Sequence, residues 1–324
     1  MAFPKFASWR AWTMAFRPKT LGVAAVPVVV AAFWVFAQQS HVHVPTFILM
    51  TLCAILFQVI TNLQNDVGYT QRNADPGGAR VGMPRATALN LLTEKQVKNA
   101  IKGAIALALF LSIPLIYWHG WIVAVIGALS IITAIWYMAG KHPLAFTPYG
   151  EVFVFIFFGL IAVNGAVYVL THEMISFWTL LLSVAIGSLA SSVLLVNNYR
   201  DLEHDQKTGR RTLAVFLGRL RAQKVYAVLI FAPFVITLIF ASNQSTLFLL
   251  PLFSLPFAVR TFIRFKQTPL QSSAGDAFNH LLVRTVTLEV FYGALFCVAA
   301  LVTGILKTSD KFKSLTEACL GWVV

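Results

Sequence analysis

Nine long apolar blocks run along the chain, at about 21–38, 46–61, 101–118, 121–138, 152–171, 176–197, 225–241, 246–262 and 282–305. A helix needs about 20 predominantly apolar residues to cross the hydrocarbon of a bilayer. The pattern therefore predicts an all-α polytopic membrane protein with nine transmembrane helices. Before the first block, Phe3, Phe6, Trp9, Trp12 and Phe16 recur every three or four residues, interleaved with Lys5 and Arg10. That spacing predicts a short helix within residues 1–20, lying in the membrane interface. The first apolar block follows Arg17-Pro18-Lys19 and is long enough to be a true span, so no cleavable signal peptide is expected.

Composition agrees with this pattern. The chain is 58% hydrophobic and 11% charged, whereas a soluble domain carries about 25% charged residues. Nine spans leave no room for a second folded domain, so residues 1–324 are read as one transmembrane domain. Cys53, Cys297 and Cys319 show no metal-type spacing, and no disulfide framework is expected. The formal net charge of +13 would suit nucleic acid, but in a membrane protein it records orientation. With the N-terminus in the cytoplasm, 22 of the 25 Lys and Arg fall on the cytoplasmic side. The expected location is the cell inner membrane, with lipid as the surrounding partner and no nucleic acid. Two long segments, 62–100 and 198–224, then become cytoplasmic loops, and loops of that length usually carry function.

The twelve acidic residues are few enough for their placement to matter. Asn62, Asn65 and Asp66 stand at i, i+3 and i+4, and Asn198, Asp201 and Asp205 at i, i+3 and i+7. Each set occupies one helical face, at the C-terminal end of a span where free carbonyls favour a cation. Amide and carboxylate oxygens without His or Cys suit a hard ion, and Mg2+ commonly bridges a few carboxylates to substrate phosphates. Arg80, Arg85, Lys207 and Arg211 lie close enough in sequence to meet those phosphates. A lone Asp-x-x-x-Asp is usually a solvated pair, but two sets continuous with spans and followed by Arg and Lys argue for a paired diphosphate–metal site. Lys141 reaches the same side at the end of the fourth span, where a snorkelling lysine is the alternative reading. Glu151 opens the fifth span and is read either as orienting a loop or an aromatic substrate, or as an acid stabilised by the helix N-terminus alone.

The stretch Asn62-Leu-Gln-Asn65-Asp66-Val-Gly with Arg80-Val-Gly-Met-Pro-Arg85, and the stretch Asn197-Asn-Tyr-Arg-Asp201-Leu-Glu-His-Asp205-Gln-Lys-Thr-Gly-Arg-Arg211, resemble the two motif regions of the UbiA superfamily of intramembrane aromatic prenyltransferases. The resemblance runs from about residue 9 to 300 and is nearest to the menaquinone-pathway branch, whose acceptor is 1,4-dihydroxy-2-naphthoate. It implies nine helices around a central cavity open toward the membrane and capped by the two cytoplasmic loops. The implied reaction is Mg2+-dependent transfer of a polyprenyl chain from its diphosphate to an aromatic acceptor. Asp66, Asp201 and Asp205 would be catalytic and, with Asp75, metal-binding. Asn62, Asn65, Tyr69, Arg80, Arg85, Lys141, Asn198, Lys207 and Arg211 would bind substrate. The first motif departs from the family pattern, since Tyr69 stands where an Asp is usual. Tyr69 is expected on the stripe of Asn62 and Asp66, with its phenol toward the site. Competing readings are an acceptor such as 4-hydroxybenzoate, a prenyl-lipid binder without catalysis, and a cation-coupled transporter. Against the last, transporter sites usually lie near the bilayer midplane, and these carboxylates gather at one face.

Overall fold

The computed structural model describes residues 9–72, 82, 85–173, 175–269 and 275–320, with side chains as far as Ser309. Among the described residues, all regular structure is helical. A short helix α1 (Trp9–Phe16) precedes α2 (Leu21–Gln39), α3 (Val44–Gln71), α4 (Glu94–His119) and α5 (Trp121–Trp136). Next, α6 (Gly150–Val154) runs through a π-helical stretch (Phe155–Ile161) into α7 (Ala162–Thr171). After α8 (Phe177–Arg200) come the short α9 (Leu202–Lys207), α10 (Leu213–Asn243), a 3-10 segment (Thr246–Ser254) continuing into α11 (Leu255–Gln267), and α12 (Gly275–Leu320). Eight of these stretches are long and apolar enough to cross a membrane; the block predicted at 121–138 forms the shorter α5, an apolar helix of 16 residues.

The predicted blocks are the middles of longer helices. α3 continues to Gln71 and α4 begins at Glu94, so the segment expected as a loop over 62–100 is helical at both ends. Thr93 and Gln96 form a reciprocal capping box, with Gln96 N donating to Thr93 Oγ1 at 3.2 Å and Thr93 N to Gln96 Oε1 at 2.9 Å. That cap fixes the start of α4 well ahead of its apolar block. The second predicted loop, 198–224, likewise shrinks to the surroundings of α9. Gly218, at φ 70°, sits in the left-handed region and breaks the direction of α10.

α8 is the centre of the bundle. Within its most apolar window 78% of the residues are buried, against 17% for α4 at the edge. Its enclosed face carries small residues such as Gly187, Ser188, Ala190, Ser191 and Ser192, which let neighbouring backbones approach. A Cβ built on Gly159 would lie 2.5 Å from the Ser183 carbonyl oxygen, and one on Gly187 2.8 Å from that of Phe155. The π-helical stretch and α8 therefore touch backbone to backbone. Glycines do the same between α12 and α2, where Gly293 meets Val26 and Val30, and Gly304 meets Phe36. Trp34, Phe240, Phe248 and Phe296 close one end of the core with ring centroids 5.0–6.5 Å apart. Leu109, Phe110 and Ile113 of α4 and Trp121, Leu129 and Ile132 of α5 are exposed. An outward apolar surface of this kind suits a hydrocarbon solvent.

α1 does more than cover an interface. Ala11 and Ala15 are buried against a cluster that includes Ile60, Leu63, Val67 and Val97. Its other face carries Arg10, Thr13, Met14 and, just beyond, Arg17 to the wall of an internal cavity. Residues 1–8 of the predicted interfacial segment lie outside the described residues.

A candidate active site at the polar end of the cavity

The last two turns of α3 carry Asn62, Asn65, Asp66 and Tyr69, as the spacing predicts, but their side chains divide the work. Asn62, Asn65 and Tyr69 line the cavity. Asn62 Nδ2 donates to Phe16 O at 2.9 Å, tying α3 to the chain that leaves α1. Asp66 is buried behind the wall. Its Oδ2 accepts from Ala86 N at 3.1 Å and its Oδ1 from Thr87 N at 2.9 Å and from the Thr87 hydroxyl. A carboxylate accepting backbone amides in this way fixes a turn, and here the turn delivers Arg85. The Arg85 guanidinium donates to Asn65 O at 2.9 Å and lies 3.4 Å from the centre of the Tyr69 ring. Arg210 lies 4.8 Å from the same ring centre. Tyr69 thus meets two arginines through its ring quadrupole.

At the end of α8, Asn197, Asn198 and Arg200 line the same cavity. Asp201 and Asp205 stand behind them, each 1% exposed or less. Asp201 accepts from Arg200 Nε at 2.8 Å and Nη2 at 2.9 Å. The same guanidinium also donates to Asn197 Oδ1 at 2.8 Å and Asn279 Oδ1 at 2.9 Å. Gly82 sits against it so closely that a Cβ there would collide with Nη2. Asp205 accepts from Arg210 Nη1 at 2.5 Å and Thr212 Oγ1 at 3.4 Å, while Arg210 Nη2 donates to Ala145 O at 2.9 Å. Each acid of the second motif therefore orients an arginine, a bidentate or charge-assisted arrangement that fixes the cation's plane.

The cavity has a volume of about 770 Å3. One end is polar and cationic: Arg10, Arg17, Lys19, Arg85, Arg200 and Arg210 line it, and no Asp or Glu does among the described residues. The remainder is apolar, with Val28, Phe57, Leu115, Phe157, Ile161 and Val169 among its walls. The π-helical stretch contributes Phe157, Phe158 and Ile161 to this wall; wide helical turns of this kind are frequent at functional sites. Arg17 adopts a left-handed backbone at φ 52° between α1 and α2, a strained conformation for a side chain with a Cβ.

Beside this end, Glu151 is 3% exposed. Its Oε1 accepts from Asn198 Nδ2 at 2.9 Å, and its main-chain oxygen accepts from the Ser191 hydroxyl at 2.9 Å. Tyr137 lines the cavity nearby.

Sequence expectation and structure meet unevenly. Asn62, Asn65, Tyr69, Arg85 and Asn198 are at the wall, with Asp66, Asp201 and Asp205 directly behind it. Lys141, Lys207 and Arg211 are exposed and line no part of it. Asp75 and Arg80 lie outside the described residues. Arg200 and Arg210, unnamed by spacing, line the cavity where Lys207 and Arg211 do not; Arg200 directly precedes Asp201 in the second motif, and Arg210 carried no signal that set it apart from Arg211. Arg10, Arg17 and Lys19 carried no comparable signal. Among the described residues, no three His, Cys, Asp or Glu converge as a closed metal cage. Asn65 Oδ1, buried without a hydrogen-bond partner, is an oxygen a hard ion shared with a substrate could take, while Asp66, Asp201 and Asp205 stand behind the wall with their oxygens engaged by main-chain amides, Thr87, Arg200, Arg210 and Thr212.

Comparison with known proteins accords with this arrangement. Residues 24–283 match the UbiA prenyltransferase family. The 1,4-dihydroxy-2-naphthoate octaprenyltransferase of Mycobacterium tuberculosis is 32% identical over 304 residues, covering 92% of this chain and 99% of the relative. The Escherichia coli protein of the same name is 31% identical over 240 residues, covering 71% and 76%. Among solved structures, a UbiA homolog from Archaeoglobus fulgidus bound to DMAPP and Mg2+ superposes with a TM-score of 0.60 at 16% identity, covering 89% of this chain and 99% of that one. The apo UbiA homolog from Aeropyrum pernix K1 gives 0.61 at 11% identity, covering 86% and 97%. With its family match across most of the chain and a relative 32% identical over nearly all of it, this protein belongs to the UbiA prenyltransferase family.

Proposed function

We propose that this membrane protein is a Mg2+-dependent prenyltransferase that moves a polyprenyl chain from its diphosphate to an aromatic acceptor, 1,4-dihydroxy-2-naphthoate, in menaquinone biosynthesis. The observation that carries the reading is the division of one cavity into a cationic end, without acids on its wall among the described residues, and an apolar remainder. A diphosphate with a hydrocarbon tail has the same division. The relatives covering most of the chain are named for this acceptor, and the solved A. fulgidus homologs hold DMAPP or GPP with Mg2+.

Arg85, Arg200 and Arg210 approach the leaving diphosphate already oriented by Asn65, Asp201 and Asp205. Preorganised cations stabilise the charge that develops as the allylic C–O bond breaks, with little reorganisation at that moment. The apolar wall excludes water from the reacting carbon and leaves the aromatic ring as the available nucleophile. Asn65 would offer Mg2+ an unpartnered oxygen, and Asp66, Asp201 and Asp205 would reach the ion only by exchanging the amide and arginine contacts they now make, with Asp75 nearby in sequence. When bound, the ion supplies Lewis-acid neutralisation of the leaving diphosphate.

The orientation inferred from charge places this end at the cytoplasmic face of the inner membrane. Residues 1–324 act as one domain in lipid, with the stretches 62–100 and 198–224 expected at its cytoplasmic entrance. The test is to incubate purified protein with Mg2+, a polyprenyl diphosphate and a panel of aromatic acceptors, and to identify products by mass. A prenylated naphthoquinol product is expected. Exclusive prenylation of 4-hydroxybenzoate would replace the acceptor, and absence of any product would overturn the reading.

A further inference from the structure

Of the buried acids Asp66, Glu151, Asp201, Asp205 and Glu289, Glu151 is the one that accepts from a side-chain amide of the cavity wall. Its Oε1 accepts from Asn198 Nδ2 at 2.9 Å, whereas Oε2 is buried without a hydrogen-bond partner. A buried carboxylate with an unmade bond weakens the fold. Glu151 itself does not line the cavity; Asn198 does, flanked by Leu194 and Tyr137. Those two lie within 3.5 and 3.8 Å of where a Cβ on the neighbouring Gly150 would sit.

An amide has a donating and an accepting end. The Asn198 NH2 is turned to Glu151 Oε1, so the end of this cavity-lining amide that Glu151 does not use is its carbonyl oxygen. A carbonyl oxygen repels the acceptor-only oxygens of a diphosphate and selects a group carrying O–H. Leu194, Tyr137 and Phe153 supply apolar and aromatic surface beside it. We propose that Glu151 is a positioning residue for the aromatic acceptor: it locks the Asn198 amide so that the carbonyl oxygen receives a hydroxyl of the hydroxylated ring. This rests on the prenyltransferase reading above and assigns the acceptor's side of the same site.

The test is steady-state kinetics of the full chain in detergent or nanodiscs, varying acceptor, prenyl diphosphate and Mg2+ separately. Glu151→Met fills the volume without an accepting oxygen and should raise the acceptor KM about tenfold, the equivalent of one lost hydrogen bond. The prenyl diphosphate KM and the Mg2+ half-saturation should stay within about twofold. Glu151→Gln keeps an accepting oxygen and should restore most of the acceptor KM. The double variant Glu151→Met/Asn198→Ala should be no worse than Asn198→Ala alone, because both changes remove the same contact. Additive effects, equal changes in both substrates, or a Gln variant no better than Met would overturn the assignment. So would a shift confined to Mg2+, which would mean that Asn198 meets metal-bound water. If the Met variant does not fold, Asn198→Asp carries the test: a carboxylate beside Glu151 should raise the acceptor KM selectively, and an unchanged value would overturn the proposal. A wild-type protein that forms no prenylated product with any acceptor would instead defeat the functional reading itself.

Discussion

At the residue scale, the second-motif acids Asp201 and Asp205 hold Arg200 and Arg210. Replacing Asp205 by Asn removes the charge that fixes Arg210 between Ala145 O and the Tyr69 ring. Asp205→Asn is expected to lower turnover by about a hundredfold or more, the range found for losing one preorganised electrostatic group. The protein should still insert and purify, and near-normal turnover at saturating prenyl diphosphate would remove the assignment. In the first motif two variants should separate two roles. Tyr69→Phe keeps the ring against Arg85 and Arg210 and should slow the reaction less than about threefold, since the ring face supplies the cation contact. Asp66→Asn turns an amide NH2 toward the Ala86 and Thr87 amides. It should nearly stop turnover and weaken the fold by about 1–3 kcal/mol. Parallel kinetics over a Mg2+ titration, with thermal melts, will read both; an unchanged rate and Mg2+ dependence for Asp66→Asn would exclude the α3 half of the site.

At the element scale, the contact of the π-helical stretch with α8 sets the cavity wall. Gly159 has no room for a Cβ, because the nearest atom is main-chain oxygen and cannot rotate away. Gly159→Ala is expected to destabilise the protein by about 1–3 kcal/mol, as overpacking does, and to disturb the wall formed by Phe157, Phe158 and Ile161. Gly103→Ala, where nothing lies within 4 Å of the new methyl group, is the control and should be neutral or slightly stabilising in its helix. Melting temperatures in detergent will compare the two. Equal values would mean that α8 and the π-helical stretch do not pack backbone to backbone.

At the scale of the whole molecule, the two motif helices, α3 and α8, end at the same end of the bundle. The opposite end is closed by contacts such as Gln38 with Gln244 and Lys307 Nζ with Ala37 O. The 22-to-3 division of basic residues predicts, by the positive-inside rule, that the motif end faces the cytoplasm. Cys53 and Cys297 are buried, so with Cys319 replaced by Ser an introduced cysteine reports its own position. A cysteine at Gln206 should resist a membrane-impermeant reagent in intact cells and react once they are opened. A cysteine at Ser242 should react in both, and strong external labelling at Gln206 would reverse the orientation.

What the amino-acid sequence determined by itself was everything that follows from local period and bulk transfer energy. Apolar blocks of about 20 residues demand helices in lipid. The i, i+3, i+4 and i+7 spacings put Asn62, Asn65, Asp66 and Tyr69 on one stripe, because helical geometry is local. Helix ends were less legible, since polar turns such as Asn62–Gln71 carry no hydropathy signal and are stabilised by packing and caps. The tertiary structure alone decided which polar side chains meet. Arg200 and Arg210, rather than Lys207 and Arg211, reach the cavity because adjacent acids and the Ala145 carbonyl hold them there. Arg10, Arg17 and Lys19 join them because Ala11 and Ala15 dock α1 on α3. Asp66 faces the turn at 86–87, twenty positions along the chain. Such pairings are set by where helices cross, and a crossing depends on the whole buried surface rather than on any window of sequence.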